Sequence, residues 1–83
     1  MIFADKLILL RKKAGWSQEE LADQMNVTRQ SVSKWEMDAA YPRIDKLIQM
    51  CTVFGVSTDE LLKEEISFEE KVYVPVKFEP VIE

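Results

Sequence analysis

The apolar positions of this 83-residue chain fall into two regimes. Through the first sixty-odd residues they recur every three or four positions, the spacing of one helical face. Beyond that they alternate with polar residues, the spacing of a strand. Phe3, Leu7, Leu10 and Ala14 stand at i, i+4, i+7 and i+11, which predicts a first helix over residues 3–14, ended by Gly15. Ile2, Ile8 and Leu9 lie off that stripe and suggest a surface that something else covers. Trp16 bridges into the next segment and is expected in the core. Ser17 and Glu20 have the spacing of a capping box, and Leu21 and Met25, with Ala22 beside them, face inward from a second helix over residues 18–25. Asn26 tolerates the left-handed conformation that stops a helix abruptly. Thr28 then caps a third helix, about residues 29–37, whose inward residues are Val32 and Trp35.

The same logic continues downstream. Pro42 suits the first turn of a fourth helix, and Ile44, Leu47, Ile48, Cys51 and Phe54 form its expected core stripe up to Gly55. Ser57 with Glu60 repeats the capping box ahead of a short fifth helix carrying Leu61 and Leu62. The expectation is a compact all-α, five-helix domain over residues 1–65. Residues 66–83, ISFEEKVYVPVKFEPVIE, put Val72, Val74, Val76 and Phe78 on one side of a strand-like extension, and Pro75 and Pro80 confine it to an edge. A single strand needs a partner. It would lie across the helical domain, pair with its equivalent in a second subunit, or receive another protein; the alternatives are a flexible tail or the start of a longer region.

Charge and composition narrow the chemistry. With no histidine and only Cys51, a metal site, an internal disulfide and histidine-based catalysis are all disfavoured. No glycine-rich phosphate loop or nucleophile–base set is present, so neither an enzyme nor a cofactor is expected. Cys51, inside an apolar pattern, reads as an inert thiol. The segment MIFADKLILLRKK has an early acidic residue and no long apolar run, which argues against a signal peptide or membrane span and for a reducing cytoplasm. The net charge is −4, half of it in residues 66–83, where two lysines face four glutamates. Arg11, Lys12, Lys13, Arg29, Lys34 and Arg43 are expected to gather on one side. A locally basic face on an acidic chain is compatible with DNA binding of weak non-specific affinity.

The stretch Ser17 to Glu36, two short capped helices joined by a sharp turn, fits a helix-turn-helix whose second helix enters the DNA major groove. Opposite Val32 and Trp35, steps of about 100° per residue turn Gln30, Ser33, Lys34 and Met37 outward, with Arg29 and Ser31 flanking. Glutamine pairs bidentately with adenine and arginine with guanine, and Met37 offers an apolar contact.

Residues 6–63, through LRKKAGWSQEELADQMNVTRQSVSKWE, YPRIDKLI and FGVSTDELL, resemble the Cro and phage-repressor-like helix-turn-helix family, also called the xenobiotic response element family. The resemblance implies base contacts from Arg29, Gln30, Ser33 and Lys34. It implies phosphate contacts from Gln18, Thr28, Ser31 and Arg43, structural roles for Ala22, Val32 and Trp35, and an ion pair for Glu36. The sequence departs from the family at Asn26, where a glycine is usual, and at Met37 and Asp38, where a basic residue and a glycine are usual. Ala39 and Ala40 also lack the charge often found there, leaving Arg43 as the phosphate candidate of that loop. The implied function is a sequence-specific transcriptional regulator, a repressor acting as a homodimer on palindromic double-stranded DNA. The second reading is a protein-interaction module, such as an antitoxin or sensor adaptor, that holds its partner through residues 66–83 and the apolar Ile2, Ile8 and Leu9, with DNA binding secondary or absent.

Overall fold

Periodicity and caps translate into five helices in the computed structural model, which describes residues 1–63: α1 (Phe3–Ala14), α2 (Gln18–Met25), α3 (Arg29–Glu36), α4 (Ile44–Phe54) and α5 (Thr58–Leu62). No strand occurs among the described residues. The strand expected in residues 66–83 lies outside them.

Both capping boxes form. Ser17 Oγ accepts the Glu20 amide at 3.0 Å while Glu20 Oε1 accepts the Ser17 amide at 2.8 Å. Ser57 and Glu60 repeat the arrangement at 3.0 and 2.9 Å. Thr28 Oγ1 accepts the Ser31 amide at the start of α3. Each such cap contributes about 1 kcal/mol, which matters because helices this short are not stable alone. Three helices end on a residue in the left-handed region, Gly15 (φ 77°), Asn26 (φ 57°) and Gly55 (φ 69°), and Asp38 (φ 60°) takes the same conformation one residue beyond the end of α3. At Asp38 the next amide, of Ala39, reaches back to the Lys34 carbonyl at 2.9 Å, closing the turn over the end of α3. The family's usual glycine is therefore replaced here by a residue whose Cβ is disfavoured in that conformation. The last residue of α3 is Glu36, one position earlier than the sequence suggested, with Met37 as its C-cap.

The core joins Phe3, Leu7 and Leu10 of α1, Leu21, Ala22 and Met25 of α2, Val32 and Trp35 of α3, Leu47 and Met50 of α4, and Leu61 of α5. Ala14 is exposed, so the α1 stripe ends at Leu10. The larger correction concerns α4. Ile44 and Ile48, expected inside, are 69% and 56% exposed, while Met50 is fully buried and Cys51 and Phe54 are half-buried. This helix packs on α2 and α5, and the turn of its inward face toward Met50 brings Lys46 Nζ to the Met25 carbonyl at 3.1 Å. Gln49 Nε2 reaches the neighbouring Gln24 carbonyl at 3.4 Å. Periodicity alone could not see that α4 caps the open carbonyls of α2. Pro42 is buried but precedes the helix, whose N-cap is Arg43. Trp16 is half-buried rather than central, its ring 5.8 Å from that of Phe54, and Tyr41 stacks on Phe3 at 5.0 Å.

Lys6 is the one fully buried charged residue among those described. Its Nζ donates to the carbonyls of Glu60 and Lys63, so a cation from the first turn of α1 satisfies the C-terminal end of α5. Cys51 is half-buried, and burial pushes its thiol above the ordinary value; the charge of Glu60 adds to this and a backbone hydrogen bond opposes it.

Two outcomes follow. Asp38→Gly relieves the left-handed penalty and should stabilise the chain by about 0.5–1 kcal/mol, read as a higher urea midpoint. An unchanged or lower midpoint would mean that Asp38 is held by contacts that compensate its backbone. The raised thiol pKa leaves less thiolate at neutral pH, so alkylation of Cys51 in the folded chain should have its pH midpoint above that of the same cysteine in urea.

Candidate nucleic-acid interface

The α2–α3 unit holds its outer face by burying the opposite one. Val32 and Trp35 are buried, and three residues apart they fix the rotation of α3 about its axis. Gln30 and Lys34 are thereby exposed, Ser33 is half-buried, and Arg29 is exposed in the first turn. No acidic residue occupies that turn, so the positive end of the helix dipole and the Arg29 charge act together.

A second constraint comes from beneath. Arg11 Nε meets Glu36 Oε2 at 2.7 Å, Arg11 Nη2 meets Glu36 Oε1 at 3.2 Å, and Arg11 Nη1 donates to the Trp16 carbonyl at 2.9 Å. The Arg11 and Glu36 side chains are only 13% and 5% exposed. The ion pair expected of Glu36 is present, and it removes Arg11 from the basic outer set in which composition had placed it. Its guanidinium is turned inward and ties α1 to α3.

Gln18 joins the same network, its Nε2 donating to Glu36 Oε1 at 2.9 Å. A carboxylate accepts and cannot donate, so it sets which end of the Gln18 amide faces inward. One N–H and the carbonyl oxygen of that half-buried side chain stay available for a ligand at the start of α2. Thr28 and Ser31 are also linked, their hydroxyl oxygens 3.1 Å apart. Of two hydroxyl protons only one serves that bond, leaving the other for an acceptor such as a phosphate oxygen.

The structure thus puts Gln18, Thr28, Arg29, Gln30, Ser31, Ser33 and Lys34 on α2 and α3 or at their caps. Arg43 stands apart at the N-cap of α4, exposed, with its Nε 3.6 Å from Asp45 Oδ1. Sequence reasoning did not find that Glu36 orients Gln18. The signal was the register itself, since a glutamate one residue past Trp35 must lie at the edge of the buried face. No group of three His, Cys, Asp or Glu that could hold a metal occurs among the described residues, and no helix there is long and apolar enough to cross a membrane.

Two helices crossing at an asparagine turn, the second presenting a polar and basic face, define a helix-turn-helix module. The sequence model of the Helix-turn-helix family matches residues 7–61, and the chain belongs to that family. It is 42% identical over 65 residues to the HTH-type transcriptional activator BcrR of Enterococcus faecalis, an alignment covering 78% of this chain and 32% of that protein. It is 37% identical over 68 residues to the HTH-type transcriptional regulator ImmR of Bacillus subtilis (strain 168), covering 81% and 54%. The matches thus cover from just under a third to just over half of those relatives' length. The fold resembles that of the P22 c2 repressor solved with a synthetic operator, with TM-score 0.72 and 25% identity over 76% of this chain and 96% of that one. It also resembles SinR solved with DNA, with TM-score 0.67 and 28% identity over 72% and 97%.

The ion pair makes a quantitative prediction. Glu36→Ala strands the Arg11 guanidinium largely out of water and should cost about 3 kcal/mol in urea denaturation. The double variant Arg11→Met/Glu36→Leu removes both charges and should recover most of that loss, so the two changes are strongly non-additive. Simple additivity would show that the two side chains do not depend on each other.

Proposed function

We propose that this chain is a sequence-specific DNA-binding transcriptional regulator, a repressor that occupies a palindromic operator as a homodimer in the cytoplasm. The observation that carries the reading is the outward face of α3, set by buried Val32 and Trp35 and flanked by a Gln18 amide braced on Glu36. Arg29, Gln30, Ser33 and Lys34 are assigned to base edges, because their side chains offer the donors and acceptors that major-groove patterns require. Gln18, Thr28, Ser31 and Arg43 are assigned to phosphates, which fix register without reading sequence. No catalytic step is needed, since repression follows from promoter occupancy. The enterococcal relative is named an activator and the P22 protein a repressor, and a common DNA-reading unit is compatible with either outcome. Resemblance to named transcriptional regulators also favours this reading over an antitoxin or adaptor.

A single module of this size makes few base contacts, and pairing two modules doubles them. Two recognition helices would then enter successive major grooves about 34 Å apart on one face of the duplex. Ile44 and Ile48, exposed and four apart where the chain comes from the α3 loop into α4, offer an apolar strip for such a two-fold contact.

Titration of operator variants, after selection of a preferred site, tests the assignment. Arg29→Ala or Gln30→Ala should lower discrimination at particular base pairs by about 1–3 kcal/mol each, whereas Gln18→Ala should weaken all sequences alike. Unchanged binding in all three variants would show that the DNA face lies elsewhere. A promoter fusion that rises when the chain is expressed would replace repression with activation.

A further inference from the structure

The outer side of α1 carries a pattern that neither the core nor the DNA-reading face uses. Asp5, Ile8, Leu9 and Lys12 stand at i, i+3, i+4 and i+7, all within about 60° of the line opposite Phe3, Leu7 and Leu10. With Met1 they line a shallow groove of about 310 Å³. Ile8 and Leu9 are half-buried, Leu9 leaning on the core from one border, while Asp5 and Lys12 are exposed. Among the described residues neither Asp5 nor Lys12 forms an ion pair. We propose that this face pairs with the same face of a second copy of the chain, the two α1 helices antiparallel about a two-fold axis between Ile8 and Leu9.

The order of the residues selects that occupant. Along the helix, the midpoint of Asp5 and Lys12 coincides with the midpoint of Ile8 and Leu9. A two-fold axis through that point sets Asp5 of each copy against Lys12 of the other, and Ile8 of each against Leu9 of the other. Two opposite-charge pairs, about 10 Å apart along each helix, then flank an apolar centre. Parallel pairing would instead set Asp5 against Asp5 and Lys12 against Lys12, and both contacts oppose it. Other occupants fit less well. One acid and one base on the stripe offer DNA phosphates or an anionic membrane no net attraction. A groove this shallow cannot enclose most of a small molecule's surface.

About 16 Å of one helix, itself some 10 Å wide, covers far less than the roughly 800 Å² per partner of a stable complex. The contact is therefore weak between free chains and is populated where chains are already held together. On DNA that means pairs seated on neighbouring sites, with α2 and α3 left clear; this consequence rests on the DNA-binding role proposed above.

The test follows the methyl signals of Ile8 and Leu9 by NMR in the full 83-residue chain, without DNA. Pairing predicts that both signals shift as the chain is concentrated. Asp5→Lys or Lys12→Asp alone sets like charges face to face at both ends and should weaken association about tenfold. Mixing the two single variants, or combining both changes in one chain, restores opposite charges and should bring the shifts back to near their original midpoint. The double variant also opposes the α1 dipole at both ends, so its recovery separates pairing from helix stability. Signals that ignore concentration would mean that the face stays open or is covered by its own chain. Concentration-dependent shifts that survive both single variants would mean that another surface of a second copy sits there. Both results overturn the proposal, and neither bears on the DNA-reading face.

Discussion

A guanidinium and a carboxylate 2.7 Å apart, both nearly out of water, set the geometry on which the rest of this molecule depends. Each is costly to bury alone and tolerable only with the other, so the Arg11–Glu36 pair acts less as a source of stability than as a condition on shape. It requires the last turn of α1 to meet the last turn of α3. Because Arg11 also holds the Trp16 carbonyl and Glu36 also holds Gln18, the same pair fixes the corner leading into α2 and the first side chain of α2. One buried contact therefore couples three helices and aims the amide proposed to grip the DNA backbone.

Short helices make this arrangement necessary. Helices α2 and α3 have eight residues each, below the length at which a helix persists in water without tertiary support. Their ends are secured by the Ser17–Glu20 box, by Thr28 and by the left-handed residues Asn26 and Asp38, and their apolar sides are buried by α1 and α4. The outer face of α3 is then free to be polar and basic without threatening the fold. A reading surface on a rigid helix loses little side-chain and backbone freedom when it meets DNA, which favours discrimination.

Legibility in the sequence followed the range of the interaction. Both capping boxes, the Asn26 turn, the glycine stops and the inward pair Val32 and Trp35 depend on residues within a turn or two of one another, and each appears as read. The outward set on α3 follows from that same local register. What could not be read depends on partners far along the chain. Arg11 looked like one more cation in a basic run until Glu36, 25 residues away, took it inward. Lys6 occupied the edge of an apolar stripe, and only the arrival of the α5 carbonyls explains its burial. The α4 stripe is rotated from Ile44 and Ile48 toward Met50 because α4 answers to the end of α2, and no period within α4 encodes that. Asp38 was visible as a departure from the family's glycine, but its positive φ became evident only in the folded turn.

DNA is proposed to sit on the face of α3 beside Gln18. An amide chemical-shift titration of the 83-residue chain with its selected operator measures this directly, residue by residue. Binding on this face predicts the largest shifts at Gln18 and from Thr28 to Lys34, with α5 and the outer side of α1 nearly unmoved. Shifts centred on α4, α5 or the outer side of α1, with α3 unchanged, would contradict it.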